Sequence, residues 1–338
     1  MATMVIDDVV KEVNTYLSHN PKLISTALNA EMSTLDKHTK PITKVKGRFP
    51  QGSTLLTNVV QGFKPEWNEL GALQIEHKIL RNYHQKVNFP IIPAEILSSY
   101  WADLYAEGKD PKDMPISKYI IEKELIPKVT SDMAHLEVKG VYDSADLETF
   151  GKSMNGIEKI LLDLAAGVPD TDHTAFKIPL SALTDSNIVD QVTDFERKLP
   201  SLLKSKVKKI FMSENNVERY ILDYEDKFGQ NKFQNNALKT RLGKREIVAI
   251  PFMETDDIFT TTENNFVRLI DVFDGKPAIT DVQKQDYKVK IFMEFWKGYD
   301  FLINELVVMS NFTDTTYGLG SQALNQKYYG IDGVTPAP

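Results

Sequence analysis

Cysteine is absent from the 338-residue chain. That removes a disulfide framework, a thiolate zinc or iron–sulfur site and a cysteine nucleophile. No window approaches the roughly 20 consecutive apolar residues that a membrane helix needs. The start, MATMVIDDVVKEV, lacks the basic and then apolar segments of a secretory signal, so the expectation is a soluble chain with no recognisable export signal. A surplus of positive charge is also missing: 40 Lys+Arg stand against 47 Asp+Glu, a net charge of −7. This argues against a general nucleic-acid binder and leaves only local basic patches for contact with DNA.

The signatures of common catalytic sites are missing too, with no HExxH, P-loop, GxSxG or kinase set. Gly318-Leu319-Gly320-Ser321-Gln322-Ala323 fits a loose dinucleotide pattern but follows no βαβ unit. The six histidines are scattered, and only His173 sits in a compact polar cluster, with Asp170 and Asp172. That cluster and the acidic knot Glu254, Asp256 and Asp257 read as solvated loops, so no catalytic residue, cofactor site or metal site is assigned. Basic residues gather at Lys204, Lys206, Lys208 and Lys209, and again at Lys239, Arg241, Lys244 and Arg245. These read as solvated faces or as surfaces for phosphate or an acidic neighbour.

What is present is ordinary globular material, 42% hydrophobic and 26% charged, with length for about two domains and a core that needs no staples. Val5, Val9, Val13, Tyr16 and Leu17 mark a short amphipathic helix. The basic, turn-rich run 36–49 then reads as a flexible segment or as an arm lying on another molecule. From Leu73 to Phe89 apolar and polar residues alternate. As one strand those residues span about 55 Å, beyond the usual strand length. Thr54 to Val60 offers the partner of a long hairpin, whose tip carries Phe63, Trp67 and Leu70. These pack either on their own domain or on a neighbouring subunit.

Spacings of three and four predict a helix from Pro93 to Gly108 and a second, long one over 115–139, kinked at Pro127. A mixed α/β region follows: helix 186–198, strand 207–212, helix 217–228, a polar loop 229–244, and strands at 245–253 and 265–272. The run 286–309 alternates and predicts an antiparallel hairpin turning at Lys297-Gly298. The tail beyond Asn311 has no period and is expected to be extended or disordered unless a partner orders it.

An arm, a projecting hairpin, a long helix, an α/β region and a returning hairpin, in that order, resemble the HK97-fold major capsid proteins of tailed bacteriophages. The passages carrying the likeness are KVNFPIIPAEILSSYW leading to PISKYIIEKELIPKVTSDMAHLEVKG, then IFMSENNVERYILDYEDKFG with RLGKREIVAIPFM, and DYKVKIFMEFWKGYDFLINELVVM. The resemblance implies an α+β capsid fold. It has an N-arm (1–50), an E-loop hairpin (51–92), a P domain (93–175 and 285–312, spine helix about 115–139), an A domain (176–284) and a C-terminal tail (313–338). It implies a structural, non-enzymatic subunit that assembles into pentamers and hexamers of an icosahedral head enclosing double-stranded DNA, with the virion as its location. Its partners are further copies of itself, a separate scaffolding protein, a portal, DNA touched non-specifically and a decoration protein in some cases, with no membrane. The expected subunit contacts are Phe63, Trp67, Leu70, Ile75 and Ile79 on the hairpin, and Gln230, Asn231, Lys232, Asn235, Lys239 and Arg241 in the loop at the capsomer centre.

Two departures qualify the likeness. Members that crosslink join a hairpin lysine to an asparagine, but Gln285 to Glu294 holds no Asn; the chain also enters its arm too early for a scaffolding delta region. Two other readings stay open. One is an encapsulin nanocompartment with the same fold, and the other is a hydrolase or ligand-binding protein with a site at 170–173 or 254–257.

Overall fold

The computed structural model describes residues 6–19, 34–56, 60–68, 73–92, 100, 102, 116–167, 174–229, 238–271, 278–285 and 288–331. In chain order the elements are α1 (Ile6–His19), α2 (Thr34–His38), β1 (Lys40–Ile42), β2 (Arg48–Leu56), β3 (Leu73–Arg81), β4 (Tyr83–Ile91), a helical run ending in α3 (Ile126–Lys139), α4 (Ile157–Ala166), β5 (Phe176–Pro179), α5 (Ile188–Lys198), α6 (Ser201–Lys204), β6 (Lys209–Ser213), α7 (Glu214–Phe228), β7 (Glu246–Ile250), β8 (Phe259–Thr261), β9 (Phe266–Ile270), β10 (Ala278–Gln285), β11 (Lys288–Phe301), β12 (Val307–Asn311) and α8 (Gln322–Tyr329). The predicted helix after Pro93 lies almost wholly outside the described residues.

The first sheet is built around β11, fourteen residues long. β10 pairs with its first half, β4 with Val289 to Lys297, and β9 with Lys297 to Phe301, all antiparallel; β1 adds in parallel to β9. Alternation along β11 buries Val289, Ile291 and Met293 against Ile120, Ile121, Leu125 and Val129 of the long helix and Val13 of α1. Each fully buried aliphatic side chain contributes about 1.5–3 kcal/mol. This seam holds the helix to the sheet.

The predicted turn at Lys297-Gly298 is not there: β11 runs straight through both residues and the hairpin is made with β10 instead. Gly298 serves close approach. A Cβ at that position would lie 2.7 Å from the carbonyl oxygen of Arg81. The crossing of β11 by the β3–β4 junction therefore demands the missing side chain.

The run 73–89, expected as one strand, is two. β3 pairs with β2 from Arg48↔Arg81 to Leu56↔Leu73 as a separate two-stranded hairpin, while β4 joins the first sheet. The break is at Asn82, whose amide N–H donates to Gly47 O (2.7 Å) and whose Nδ2 donates to Val45 O (2.6 Å). Both strands keep the period of two, so the alternation passes through the junction unmarked. The partner strand starts six residues earlier than expected, inside the run 36–49 that reads by sequence as a flexible segment or as an arm lying on another molecule. That segment is tied to its own chain: Leu35 and Val45 are buried, and β1 is a sheet strand.

The long helix is continuous over 116–139, with Ile116–Lys118 and a π-helical turn Tyr119–Leu125 ahead of α3. The predicted disturbance at Pro127 takes this form. Proline has no N–H to donate, and its ring presses on the carbonyl four residues back. The widened turn just before it, with Ile126 N–H bonded to Ile121 O, relieves both.

The second sheet has the order β5-β12-β8-β6-β7. α5 and α7 supply Val192, Phe195 and Tyr220 to its core, beside Phe176, Ile210 and Met212. Residues 312–331 belong here, contrary to the expectation of a tail extended or disordered unless a partner orders it. Tyr317, Leu319 and Tyr329 are buried in the same core, and α8 is capped by Ser321, whose Oγ accepts from Leu324 N–H. Gly318, at φ 95°, sits against the Asn325 side chain, which leaves no room for a Cβ. The two sheets meet through stacked rings: Phe211 on Phe259 at 5.0 Å, Phe266 on Phe301 at 4.9 Å, and Phe259 edge-on to Phe301 at 6.3 Å.

Candidate assembly surfaces

The β2–β3 hairpin leaves the body at Asn82 and carries its apolar groups outward. At the tip, closed by a hydrogen bond from Gln61 Nε2 to Asn68 O (2.6 Å), Phe63 is 96% and Trp67 95% exposed. Neither packs on its own domain, which removes that alternative. Leu70 lies outside the described residues. Along β3, Ile75 and Ile79 are exposed, while Lys78 and Leu80 face the body. A pleated strand with the body on one side dictates this split.

The root of the hairpin is fixed by polar contacts. Lys78 Nζ donates to Asp300 Oδ1 (2.5 Å), Phe301 O (2.6 Å) and Asn304 Oδ1 (2.6 Å), satisfying all three ammonium protons. Below it a buried charge network joins four elements. The Asp36 carboxylate accepts from Lys297 Nζ (3.0 Å) and Tyr299 OH (2.7 Å) and is ion-paired with Arg268 Nη1 (2.9 Å), and Lys297 also donates to Glu137 of α3. Burial pushes the Asp36 carboxyl up, but Lys297 and Arg268 with the donated hydrogen bonds overcome it and hold the group below its usual range. Burial likewise opposes the Lys297 charge, and Glu137 and Asp36 win, raising it.

Of the loop residues, Lys239 and Arg241 are exposed, Arg241 lying over the Phe228 ring at 4.7 Å and 3.7 Å from Asp190. Gln230, Asn231, Lys232 and Asn235 are outside the described residues. So are Asp170, Asp172 and His173. The knot at 254–257 is scattered among different partners: Glu254 pairs with Lys139, Asp256 approaches Arg219 (3.7 Å), and Asp257 is partly buried with its carboxyl pushed up by burial. No group of three metal-ligating side chains occurs among the described residues. Of the second basic cluster, Arg245 is buried and paired with Glu196.

One surface was not anticipated. Val141, Leu147, Phe150 and Phe252 are exposed, the last two rings packed about His135 at 5.3 and 5.7 Å. Phe252 is held at φ 63°, a conformation rare for a bulky residue. The signal available was the same as at the hairpin tip: large apolar groups in the polar stretch after Gly140.

No protein-family model matches the sequence, and no curated protein matches it. Solved structures do. A chain of the satellite phage P4 procapsid, 10% identical, aligns over 85% of this chain and 97% of its own with TM-score 0.50. The capsid of cyanophage A-1(L), 11% identical, aligns over 82% and 90% with TM-score 0.52, and a chain of Gordonia phage Cozz, also 11% identical, over 84% and 87% with TM-score 0.51. The chain has the HK97-type capsid fold. On this fold the hairpin aromatics and the Phe150–Phe252 patch are large apolar groups open to solvent.

Proposed function

We propose that the chain is the major capsid subunit of a tailed phage, a structural rather than catalytic protein that tiles a closed icosahedral shell around double-stranded DNA. The observation carrying this reading is the hairpin of an HK97-type fold that presents Phe63 and Trp67 almost wholly to solvent. Isolated rings so exposed are a liability unless a neighbour covers them. The β2–β3 hairpin then acts as the E-loop, the first sheet with the long helix as the P domain, and the second sheet as the A domain; this assignment departs from the expected bounds, because β4 leaves the expected E-loop, and β9 and β10 the expected A domain, for the first sheet, while β12 leaves the expected P domain for the second. Contacts through Phe63, Trp67, Leu70, Ile75 and Ile79, and through the 230–241 loop at a capsomer centre, are individually weak. Repeated around a closed shell, they add through multivalency.

Further copies of the chain are the first partners, with a separate scaffolding protein and a portal directing closure and a decoration protein as an outer addition. Electron microscopy of the full-length protein tests the reading. Pentameric and hexameric capsomers or closed shells are expected. A protein that stays a compact monomer at every concentration, with or without a co-expressed scaffold, rejects it, and shells filled with protein cargo and free of nucleic acid replace it with a nanocompartment.

A further inference from the structure

Two clefts lie side by side where α2, the start of β6 and the β8–β9 turn meet. One, of about 320 Å³, is lined by Lys37, His38, Lys40, Lys209 and Asn264 over a floor of Phe211 and Phe266. The other, of about 390 Å³, is lined by Ser205, Lys206 and Leu306. They share Lys208, Thr262 and Glu263, so they form one channel divided by the Lys208–Glu263 ion pair at 2.9 Å.

The charge in this channel is lopsided. Five lysines face one carboxylate, on a chain whose net charge is −7. Lys37, Lys40 and Lys206 are exposed and make no ion pair among the described residues. Lys209 Nζ donates to His38 Nδ1 at 2.9 Å, which leaves the ring's other nitrogen as the N–H. Lys208 has a surface pair, worth little and readily exchanged. The remaining lining is rich in neutral hydrogen-bonding groups, Thr39, Thr262, Asn264 and Ser205. Its aromatic floor, Phe211 and Phe266, is buried.

Point-charge ammonium groups spread along a track, with hydroxyl and amide donors between them, match an oxygen-rich polyanion of regularly spaced charge. We propose that this channel binds the phosphodiester backbone of double-stranded DNA, giving the wall a sequence-independent hold on its contents. The proposal rests on the shell reading for its partner and on the channel alone for its place.

The test uses the full-length protein purified as unassembled subunits, so that both faces are open. Binding of a short labelled duplex is followed by fluorescence anisotropy between about 50 and 200 mM salt. Five lysines predict a log–log salt slope of about −4 to −5. The triple variant Lys37→Gln, Lys40→Gln, Lys206→Gln, which breaks no ion pair among the described residues, is expected to flatten the slope by about three. Changing Lys11, Lys128 and Lys152 in the same way is expected to leave it unchanged. Equal losses in the two triple variants overturn the proposal, because net charge alone then explains the binding. So does an unchanged slope in the first variant, or polyglutamate displacing the duplex at lower charge concentration than unlabelled duplex does. Shell formation, read separately by microscopy, keeps the two claims apart: shells without channel-dependent binding sink the channel only, and binding without shells sinks the shell only.

Discussion

Lys78 Nζ donates to Asn304 Oδ1 across 2.6 Å, so the root of the projecting hairpin is fastened to the loop after β11 within one chain. With Asp300 and the Phe301 carbonyl as its other acceptors, this lysine has no proton left for a neighbouring subunit. Lys78→Met leaves Asp300 part-buried without its cation, and a loss of roughly 2–4 kcal/mol is expected. The measurement is thermal or denaturant unfolding of the subunit beside proteolysis of the hairpin base. A variant as stable and as protease-resistant as the parent shows that the latch carries no weight.

The same contact bears on covalent stabilisation. Gln285 to Glu294 holds no Asn, and Lys78 is occupied in its own chain. Assembled particles boiled in detergent are therefore expected to run as a single band near 38.4 kDa. A ladder of higher bands points to the exposed Lys64 at the tip as the donor. A monomer band lighter in intact mass by one ammonia shows instead that Lys78 and Asn304 have condensed.

At the tip, Trp67→Ala is expected to leave the subunit folded and soluble, because the ring touches no core residue. If a neighbour covers it, truncation costs about 2 kcal/mol or more per contact, and shells form poorly or only at raised protein concentration. Particle yield counted by electron microscopy, with circular dichroism to verify folding, decides. Normal yield removes Trp67 from the interface.

The Asp36 network gives a pH dependence with a definite sign. Its carboxyl is held below the ordinary value near 4. The stabilisation is thus complete above that value and is lost as the pH falls through the lower folded-state value. Lys297 is raised, so its share is complete below the ordinary lysine range and is lost as the pH climbs through the higher folded value. Asp36→Asn is expected to cost about 3 kcal/mol at neutral pH, and the difference between variant and parent is expected to shrink as the pH falls below the ordinary carboxylate range and through the lower folded-state value. A constant difference at every pH contradicts the electrostatic account.

Periodicity made the helices and the apolar faces of the strands readable, because burial on one side imposes it directly. Ile188, Val192, Phe195 and Leu199 are buried as their spacing requires. What periodicity does not record is where a strand changes sheets: Asn82 interrupts β3 and β4 without disturbing the alternation of Tyr83, Gln85 and Val87 with their polar neighbours. The closing helix was obscured for a related reason. Its own buried residues are Asn325 and Tyr329, and the apolar Tyr317 and Leu319 that join the same core lie ahead of it, before the cap, so no apolar helical face announces it. At the assembly surfaces, Phe63 and Trp67 stood out as large rings on a polar loop. Lys37 and Lys40 did not stand out beside Lys206 and Lys208, because roughly 170 residues separate sides that only the fold brings together.

Glycine at Lys297-Gly298 suggested a turn, and the structure gives it another task that one substitution can separate from the first. If the site were a turn, Ala would cost little or nothing unless φ were positive, and φ at Gly298 is not in the left-handed region. In the close-approach account a methyl group lies 2.7 Å from Arg81 O and 3.2 Å from Asn82 Cα, both backbone atoms that cannot swing aside. Gly298→Ala must then push the hairpin root away from β11. Strain of this kind costs about 1–3 kcal/mol, and the displacement stretches the Lys78 latch and the hydrogen bond from Asn82 N–H to Gly47 O. Hydrogen exchange reads it locally: faster exchange at Asn82 N–H, with β10 and the far end of β11 unaffected, is the expected pattern. Protection at Asn82 equal to that of the parent, together with unchanged stability, shows that the crossing tolerates a side chain and that Gly298 is not what sets the angle at which the hairpin leaves the body.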